Sequence, residues 1–370
     1  MKGWCAVVSR WWLVVSSRVK VLPRRLCLVP STTNYQPLAT NGTPALAAVL
    51  ALASAACTGN QSMFNPQGPA ARSIAQHGWF LIALCGVVYV AVLAAAFIAL
   101  GRRRLPDDES AETTRWLTRG VTIATALTTV ALVALTVSTE IAGRGLTSPS
   151  GAGAITVDVI GHQWWWEFQY RDVTPSDFVT SPNEMHIPVG VPVQIKAQSR
   201  DVVHSFWVPN LHGKRDLVPG QVTNFWIQAD APGVYRGQCA EFCGHQHANM
   251  ALAVVAEPMD TFQEWIQHQR QPAPQPAAEA ERKGHDVFMR SACVMCHTIR
   301  GTSAGSRLGP ELTHVGSRLT IAAGTLPNTR EHLGGWVADP QSIKPGNRMP
   351  PIVLVPDDLQ SVLSYLRSLR

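Results

Sequence analysis

Two long apolar runs constrain this chain more than anything else in it. Trp79 to Leu100 contains no charged side chain, and Val121 to Val137 is a second such run, flanked by Trp116 and Glu140. Each is close to the length needed to cross a ~30 Å hydrocarbon core. Inside lipid a backbone must satisfy its own hydrogen bonds, so such runs have to be helices. A buried core helix is the competing reading for either one alone. Two in succession, joined through Arg102-Arg103-Arg104 and Arg115, read as a membrane hairpin. Positive charge collects on the cytoplasmic side. The arginine-rich connector is therefore expected there, and everything after residue 141 on the outer side, in the periplasm or its equivalent.

The hairpin is assigned to residues 77–141, preceded by an outer segment over 57–76. Residues 1–56 read as a leader. Within it, 44–56 is a short apolar stretch ending in small residues before Cys57, the shape of a signal peptide and its cleavage site. Cys57 is a candidate for lipidation, although Ser54 departs from the aliphatic residue usual three positions earlier. The net charge of +6 sits mostly in the leader and the connector, and no nucleic-acid signature accompanies it.

Beyond the membrane the pattern changes twice. Ile155–Ile160, Trp164–Tyr170, Val191–Lys196, Asn224–Ile227 and Leu252–Val255 are strand-like runs punctuated by Pro, Gly and Asp. That pattern predicts an all-β sandwich or barrel over 153–257. Residues 258–279 are rich in Pro and Gln and read as a semi-rigid linker. Helical patterns fill 280–370, with Asp357 or Asp358 as the expected N-terminal cap of the last helix.

The β region ends in Cys239-Ala-Glu241-Phe-Cys243-Gly-His-Gln-His247-Ala-Asn-Met250. Two thiols, an imidazole and a thioether at this spacing make a soft-metal site that suits copper. His204, thirty-five residues earlier on a strand-like segment, supplies a further imidazole. A mononuclear blue-copper site has one cysteine, and here there are two. Two thiolates bridging two coppers would give each metal two sulfurs and one imidazole, with Met250 and the Glu241 carbonyl as caps. Two alternatives stay open. Tetrahedral zinc would use two Cys and two His and leave Met250 idle. A Cys239–Cys243 disulfide would close a very small loop and leave both histidines unexplained.

A second signature follows at Cys293-Val-Met-Cys296-His297, a c-type haem attachment sequence. Its competing reading is a thioredoxin-like dithiol. The following histidine, the absence of a βαβ pattern and Met349 in Asn-Arg-Met349-Pro-Pro favour haem. His297 would then be the proximal ligand and Met349 the sixth.

These motifs carry a family resemblance. Residues from about 60 to 257 resemble cytochrome c oxidase subunit II, on Gly161-His-Gln-Trp164-Trp-Trp166, Asp-Val-Val-His204-Ser and the Cys239–Met250 motif. The C-terminal region resembles a class I cytochrome c, and the combination resembles the caa-type oxidases. The resemblance implies a two-helix transmembrane hairpin, an all-β cupredoxin Greek-key barrel and an all-α class I cytochrome c domain. It implies binuclear copper A on His204, Cys239, Glu241, Cys243, His247 and Met250. One covalent haem c would be held by Cys293, Cys296, His297 and Met349, with the Pro310 carbonyl orienting His297. It further implies electron input at Trp164, a magnesium shared with the catalytic subunit through Glu241, and a proton-path mouth at Glu112. The other histidines, 162, 186, 212, 245 and 332, are read as structural or surface groups.

The function expected is that of an electron-input subunit of a respiratory terminal oxidase in the bacterial plasma membrane. Electrons would pass from cytochrome c or a cytochrome bc complex through fused haem and copper A to subunit I, which reduces oxygen with proton translocation. Subunit III and membrane lipid are the other expected partners. No oxygen-reducing site lies on this chain. The alternatives are the equivalent subunit of a nitric oxide or nitrous oxide reductase, and a copper-delivery protein, which would not need a covalent haem.

Overall fold

The structure, a computed structural model, describes residues 59–101, 111–146, 155–171 and 178–370. The leader, Cys57 and the arginines at 102–104 lie outside the described residues.

Helices α1 (Pro69–Gly101) and α2 (Ala111–Arg144) are 33 and 34 residues long. At ~1.5 Å per residue each runs about 50 Å, longer than a bilayer core. Their middle turns turn Val87, Tyr89, Phe97, Leu127 and Val130 outward, all well exposed. Water does not tolerate an apolar surface of that extent, and lipid does. The helices run antiparallel: His77 Nε2, near the start of α1, lies 3.2 Å from Thr139 Oγ1 near the end of α2. The same end rests on the sheet domain that follows. The Ala71 N–H donates to the Leu211 carbonyl at 3.2 Å, and His212 Nε2 lies 3.2 Å from the Leu146 carbonyl. The other two helix ends, at Gly101 and Ala111, are thus at the far end of the hairpin.

Ten strands form two five-stranded sheets. One has the order β3 (Val179–Pro182), β2 (Trp165–Arg171), β1 (Ile155–His162), β5 (Val193–Ser199), β8 (Thr223–Ile227). The other runs β4 (Glu184–Pro188), β10 (Ala251–Glu257), β9 (Gly233–Cys239), β6 (His204–Trp207), β7 (Arg215–Leu217). The pairings are antiparallel except β1 with β5 and β10 with β4. Strand alternation sets the core: on β5, Val193, Ile195 and Ala197 point inward while Lys196 is exposed. Between the sheets Trp166 meets Phe206 edge-on, with centroids 5.9 Å apart, and Phe206 meets Phe225 at 5.8 Å.

Half of the Pro/Gln-rich segment is a helix, α3 (Met259–Arg270). Phe262, Trp265 and Ile266 fall on one face at helical spacing, and that face packs on the first sheet domain. Trp265 stacks on His186 at 4.0 Å and meets Tyr170 at 5.3 Å. Only 271–278 is extended, and it is pinned: the Ala273 N–H donates to the Arg300 carbonyl at 2.9 Å.

The last domain is helical: α4 (Glu279–Arg290), α5 (Arg330–Ala338), α6 (Pro340–Ile343) and α7 (Pro356–Ser368). A short β11 (Thr320–Ile321) and β12 (Leu326–Pro327) form a hairpin between α4 and α5. Helices α4 and α7 cross with Phe288 against Tyr365, 6.1 Å between centroids. The cap of α7 differs from the one expected. Val355 is the N-cap and Pro356 takes the first helical position, so Asp357 and Asp358 fall inside the first turn. Proline favours that position, and the carboxylates face the positive end of the helix dipole. The two domains are packed directly on each other. The Ala251 N–H donates to the Ala323 carbonyl at 2.9 Å, and the Leu319 N–H to Glu184 Oε2 at 2.9 Å.

Candidate metal and haem sites

The end of β9 and the loop before β10 bring five donors together, and His204 on β6 adds a sixth. Cys239 Sγ and Cys243 Sγ lie 3.7 Å apart, both buried. A disulfide requires ~2.05 Å, so these are two separate sulfurs. Each is flanked in the same way. Cys239 Sγ has His204 Nδ1 at 3.8 Å and the Glu241 carbonyl oxygen at 3.3 Å. Cys243 Sγ has His247 Nδ1 at 3.5 Å and Met250 Sδ at 3.9 Å. The ligand atoms of His204, Cys239 and Cys243 all lie within 4.8 Å of one another. Six donors arranged as two matching halves around a pair of sulfurs fit two soft metal ions better than one. A single tetrahedral zinc would have no use for the thioether and the carbonyl.

Electrostatics agree with a site built for a cation. The Cys243 thiol beside it, with His204 and backbone N–H groups, holds Cys239 well below the usual thiol range, at about 3 despite its burial. That neighbouring thiolate, together with burial, pushes Cys243 up. A positive ion between the two sulfurs would favour the thiolate form of both.

Tertiary contacts aim the imidazole. His204 Nε2 lies 2.8 Å from Asp201 Oδ1, which leaves Nδ1 toward the sulfur. Burial favours the neutral His204, yet its bonds to Asp201 and Cys239 win and raise it. Gly161 on β1 is required here, because a Cβ at that position would stand 2.8 Å from the His204 ring. Asp201 was not picked out from the sequence. Its signal was its place three residues before His204, in a loop where a carboxylate can fix a tautomer.

The helical domain forms most of a cavity of about 470 Å³, lined largely by apolar side chains. Protein interiors contain few voids larger than a water molecule, so this one is shaped for a large apolar group. Cys293, Cys296, His297 and Met349 all line it. His297 Nδ1 is 2.7 Å from the Pro310 carbonyl, which leaves Nε2 free. Burial holds His297 below its ordinary range, in the neutral form that ligates metals. Gly309 approaches the ring so closely that a Cβ would sit 2.9 Å from it. The donor set and the cavity fit a covalently attached haem.

One wall of this cavity comes from the other domain: His162, Gln163, Trp164 and Trp165. Trp164 is buried, and its Nε1 donates to the Cys243 carbonyl at 2.9 Å. Gln163 Nε2 donates to the same oxygen at 2.8 Å. The expected site residues thus converge on two adjoining sites with Trp164 between them. Two stand apart. The Glu241 carboxylate is partly exposed and accepts from Lys214 Nζ at 3.1 Å. Glu112 lies in the first turn of α2, exposed, at the end of the hairpin away from the sheets. His162, His186, His212 and His332 bond within the protein, and His245 is exposed.

The comparisons with known proteins follow this division. The family model described as cytochrome c oxidase subunit II, periplasmic domain, matches residues 155–257, and the cytochrome c model matches 281–370. Cytochrome c oxidase subunit 2 of Alkalihalophilus pseudofirmus is 35% identical over 324 residues, spanning 85% of this chain and 93% of that protein. The subunit 2 of Bacillus sp. strain PS3 is 34% identical over 231 residues, 58% of this chain and 62% of that one. Among solved structures, the periplasmic domain of subunit II of the Bradyrhizobium japonicum cytochrome oxidase matches at 27% identity. It covers 32% of this chain and 96% of that one, with a TM-score of 0.31. Copper and haem binding, a membrane anchor and an electron-transfer role in a haem-copper oxidase come with these relations. The chain belongs to the cytochrome c oxidase subunit 2 family, in the caa-type form that carries a cytochrome c domain behind the copper domain.

Proposed function

We propose that this chain takes electrons from an external cytochrome c or a cytochrome bc complex and delivers them to subunit I of the oxidase, where oxygen is reduced with proton translocation. Cys293, Cys296, His297 and Met349 would hold one haem. His204, Cys239, the Glu241 carbonyl, Cys243, His247 and Met250 would hold a copper pair. Bound there, the two groups supply one-electron acceptance and release without proton chemistry. The rest is the work of the chain. Asp201 and the Pro310 carbonyl hold the imidazoles in the ligating tautomer. The buried aromatic wall excludes water, which keeps the surroundings from reorganising on each electron.

The observation that carries this reading is Trp164, which lines the haem cavity and donates to the Cys243 carbonyl at 2.9 Å. Trp164→Phe removes that donor while keeping most of the ring. The copper and haem contents are expected to stay unchanged. Internal electron transfer should slow by about tenfold, the scale of one lost hydrogen bond. A stopped-flow trace in which copper is reduced by the donor before the haem would overturn the order proposed.

The placement in the membrane follows the same logic. The start of α1 and the end of α2 meet at the copper domain, so the other two helix ends, at Gly101 and Ala111, lie on the opposite face. The positive-inside rule supports a cytoplasmic connector and copper and haem domains on the periplasmic side of a bacterial plasma membrane. A reporter fused after Arg104 is expected to behave as cytoplasmic, and one after Ser150 as exported. The reverse pattern would overturn this topology.

Glu241 and Glu112 retain narrower proposals. A magnesium shared with subunit I would have to draw the Glu241 carboxylate away from Lys214. Glu112 is exposed on the connector side, the side from which protons would be taken up toward subunit I. Subunit III would complete the assembly around the hairpin.

A further inference from the structure

Among the described residues, Lys344 is the one lysine that is buried, with 2% of its surface exposed. It follows α6 in the haem domain. Its ammonium donates to three carbonyls: Asn249 at 2.8 Å, Trp164 at 3.0 Å and Ala322 at 3.1 Å. Those three acceptors match the three protons of the charged form, which burial alone pulls down to about 7. Two of the acceptors belong to the copper domain and one to the haem domain. A buried ammonium with no carboxylate beside it is costly, and such a group is not kept for packing alone.

Its acceptors are prepared for it. Ala322 and Ala323 sit at φ of 53° and 58°, a left-handed conformation that alanine rarely adopts. That turn aims the Ala322 carbonyl at Lys344 and the Ala323 carbonyl at the Ala251 N–H. Backbone strain of this kind persists where surrounding contacts over-determine it. The chain beyond Lys344 is also tied. Asn347 Nδ2 donates to the Lys344 carbonyl at 2.7 Å, and the Met349 N–H donates to Asn347 Oδ1 at 2.8 Å. Gln246 Nε2 of the copper domain donates to the Pro345 carbonyl at 2.8 Å. The loop carrying Met349 therefore hangs, through two side-chain hydrogen bonds, from a cation whose other end grips the Trp164 carbonyl.

We propose that Lys344 is a positioning residue, a clamp that holds the Met349 loop and the whole haem domain on the Trp164 face of the copper domain. This rests on the haem-to-copper reading above and deepens it. A haem held by Cys293, Cys296, His297 and Met349 would supply a one-electron donor and the copper site a one-electron acceptor, and Lys344 would fix the spacing between the two sets of residues. The approach of the two domains is set by this built contact, with the extended segment at 271–278 as a strap.

The test uses the full chain assembled with its oxidase, carrying Lys344→Met. Haem and copper contents are expected to match the wild type. Amide exchange at Ala251 and Leu319, whose N–H bonds cross the interface, should speed up by about tenfold or more as the contact opens locally. After photochemical reduction of the haem, copper reduction should slow by about tenfold or more, because small misplacements carry large rate costs. Direct reduction of copper by a small artificial reductant should stay within about twofold of the wild type, since that reaction makes no use of the clamp. Wild-type protein with no internal transfer at all would overturn the haem-to-copper reading itself. Wild-type transfer together with unchanged rate and exchange in Lys344→Met would overturn the clamp alone. Slower transfer without faster exchange would also overturn it. If Lys344→Met and the milder Lys344→Gln both lose haem or copper, Lys344 is a packing residue and the clamp is rejected.

Discussion

Replacing Cys243 with serine is expected to abolish the metal centre of the copper domain. Cys243 shares the centre of the site with Cys239: its Sγ lies 3.7 Å from Cys239 Sγ, 3.5 Å from His247 Nδ1 and 3.9 Å from Met250 Sδ. A serine oxygen is a hard donor and a poor bridge between soft ions. Losing an outer hydrogen-bond partner of a ligand costs ~10–100-fold in metal affinity, and losing the bridge should cost more. Metal analysis of the wild type should give two coppers per chain, with electron resonance showing one electron shared between two nuclei. In Cys243→Ser the shared signal should vanish and oxidase turnover with it. His245→Ala, at an exposed position two residues on, should leave both intact. A wild type that holds one copper with a blue-protein spectrum, or zinc alone, would sink the binuclear reading.

Removing both attachment thiols, Cys293→Ala with Cys296→Ala, is expected to cost the haem domain its fold as well as its haem. The cavity of about 470 Å³ runs through a domain of roughly ninety residues. At ~24 cal/mol per Å³ an unfilled cavity of that size is worth on the order of 10 kcal/mol, comparable to the whole stability of a small domain. Limited proteolysis should therefore cut within 281–370 while the copper domain, with its own core between two sheets, keeps its metal. Turnover on the natural cytochrome donor should fall by about tenfold or more, whereas small artificial reductants should still feed the copper directly. Undiminished turnover on the natural donor would show that the haem domain is not the input port.

Much of this protein is written locally in its sequence. A membrane helix is legible because lipid removes every alternative for an apolar backbone, so Trp79–Leu100 and Val121–Val137 could be read without any tertiary information. The five strand-like runs were legible because alternation and turn residues are short-range properties. Cys239, Cys243, His247 and Met250 fall within twelve residues, and Cys293, Cys296 and His297 within five. Candidate ligands that close together leave the rest of the fold little to decide about their meeting.

What the sequence alone could not supply was anything that depends on two distant surfaces meeting. The linker read at 258–279 proved half helical, because Phe262 and Trp265 find Tyr170 on β2 and His186 on β4, 92 and 79 residues upstream. Asp201 matters only once β1 and β6 bring His204 to the sulfurs, with Gly161 making room for its ring. The wall of the haem cavity and the clamp at Lys344 are the clearest cases. Lys344 and Trp164 are 180 positions apart, and an isolated lysine in a Pro/Gly-rich loop carries no mark of burial. Spacing records which atoms can share one metal. Only the packing of one domain on the other decides which carbonyls a buried cation will find, and therefore how near the two redox sites stand.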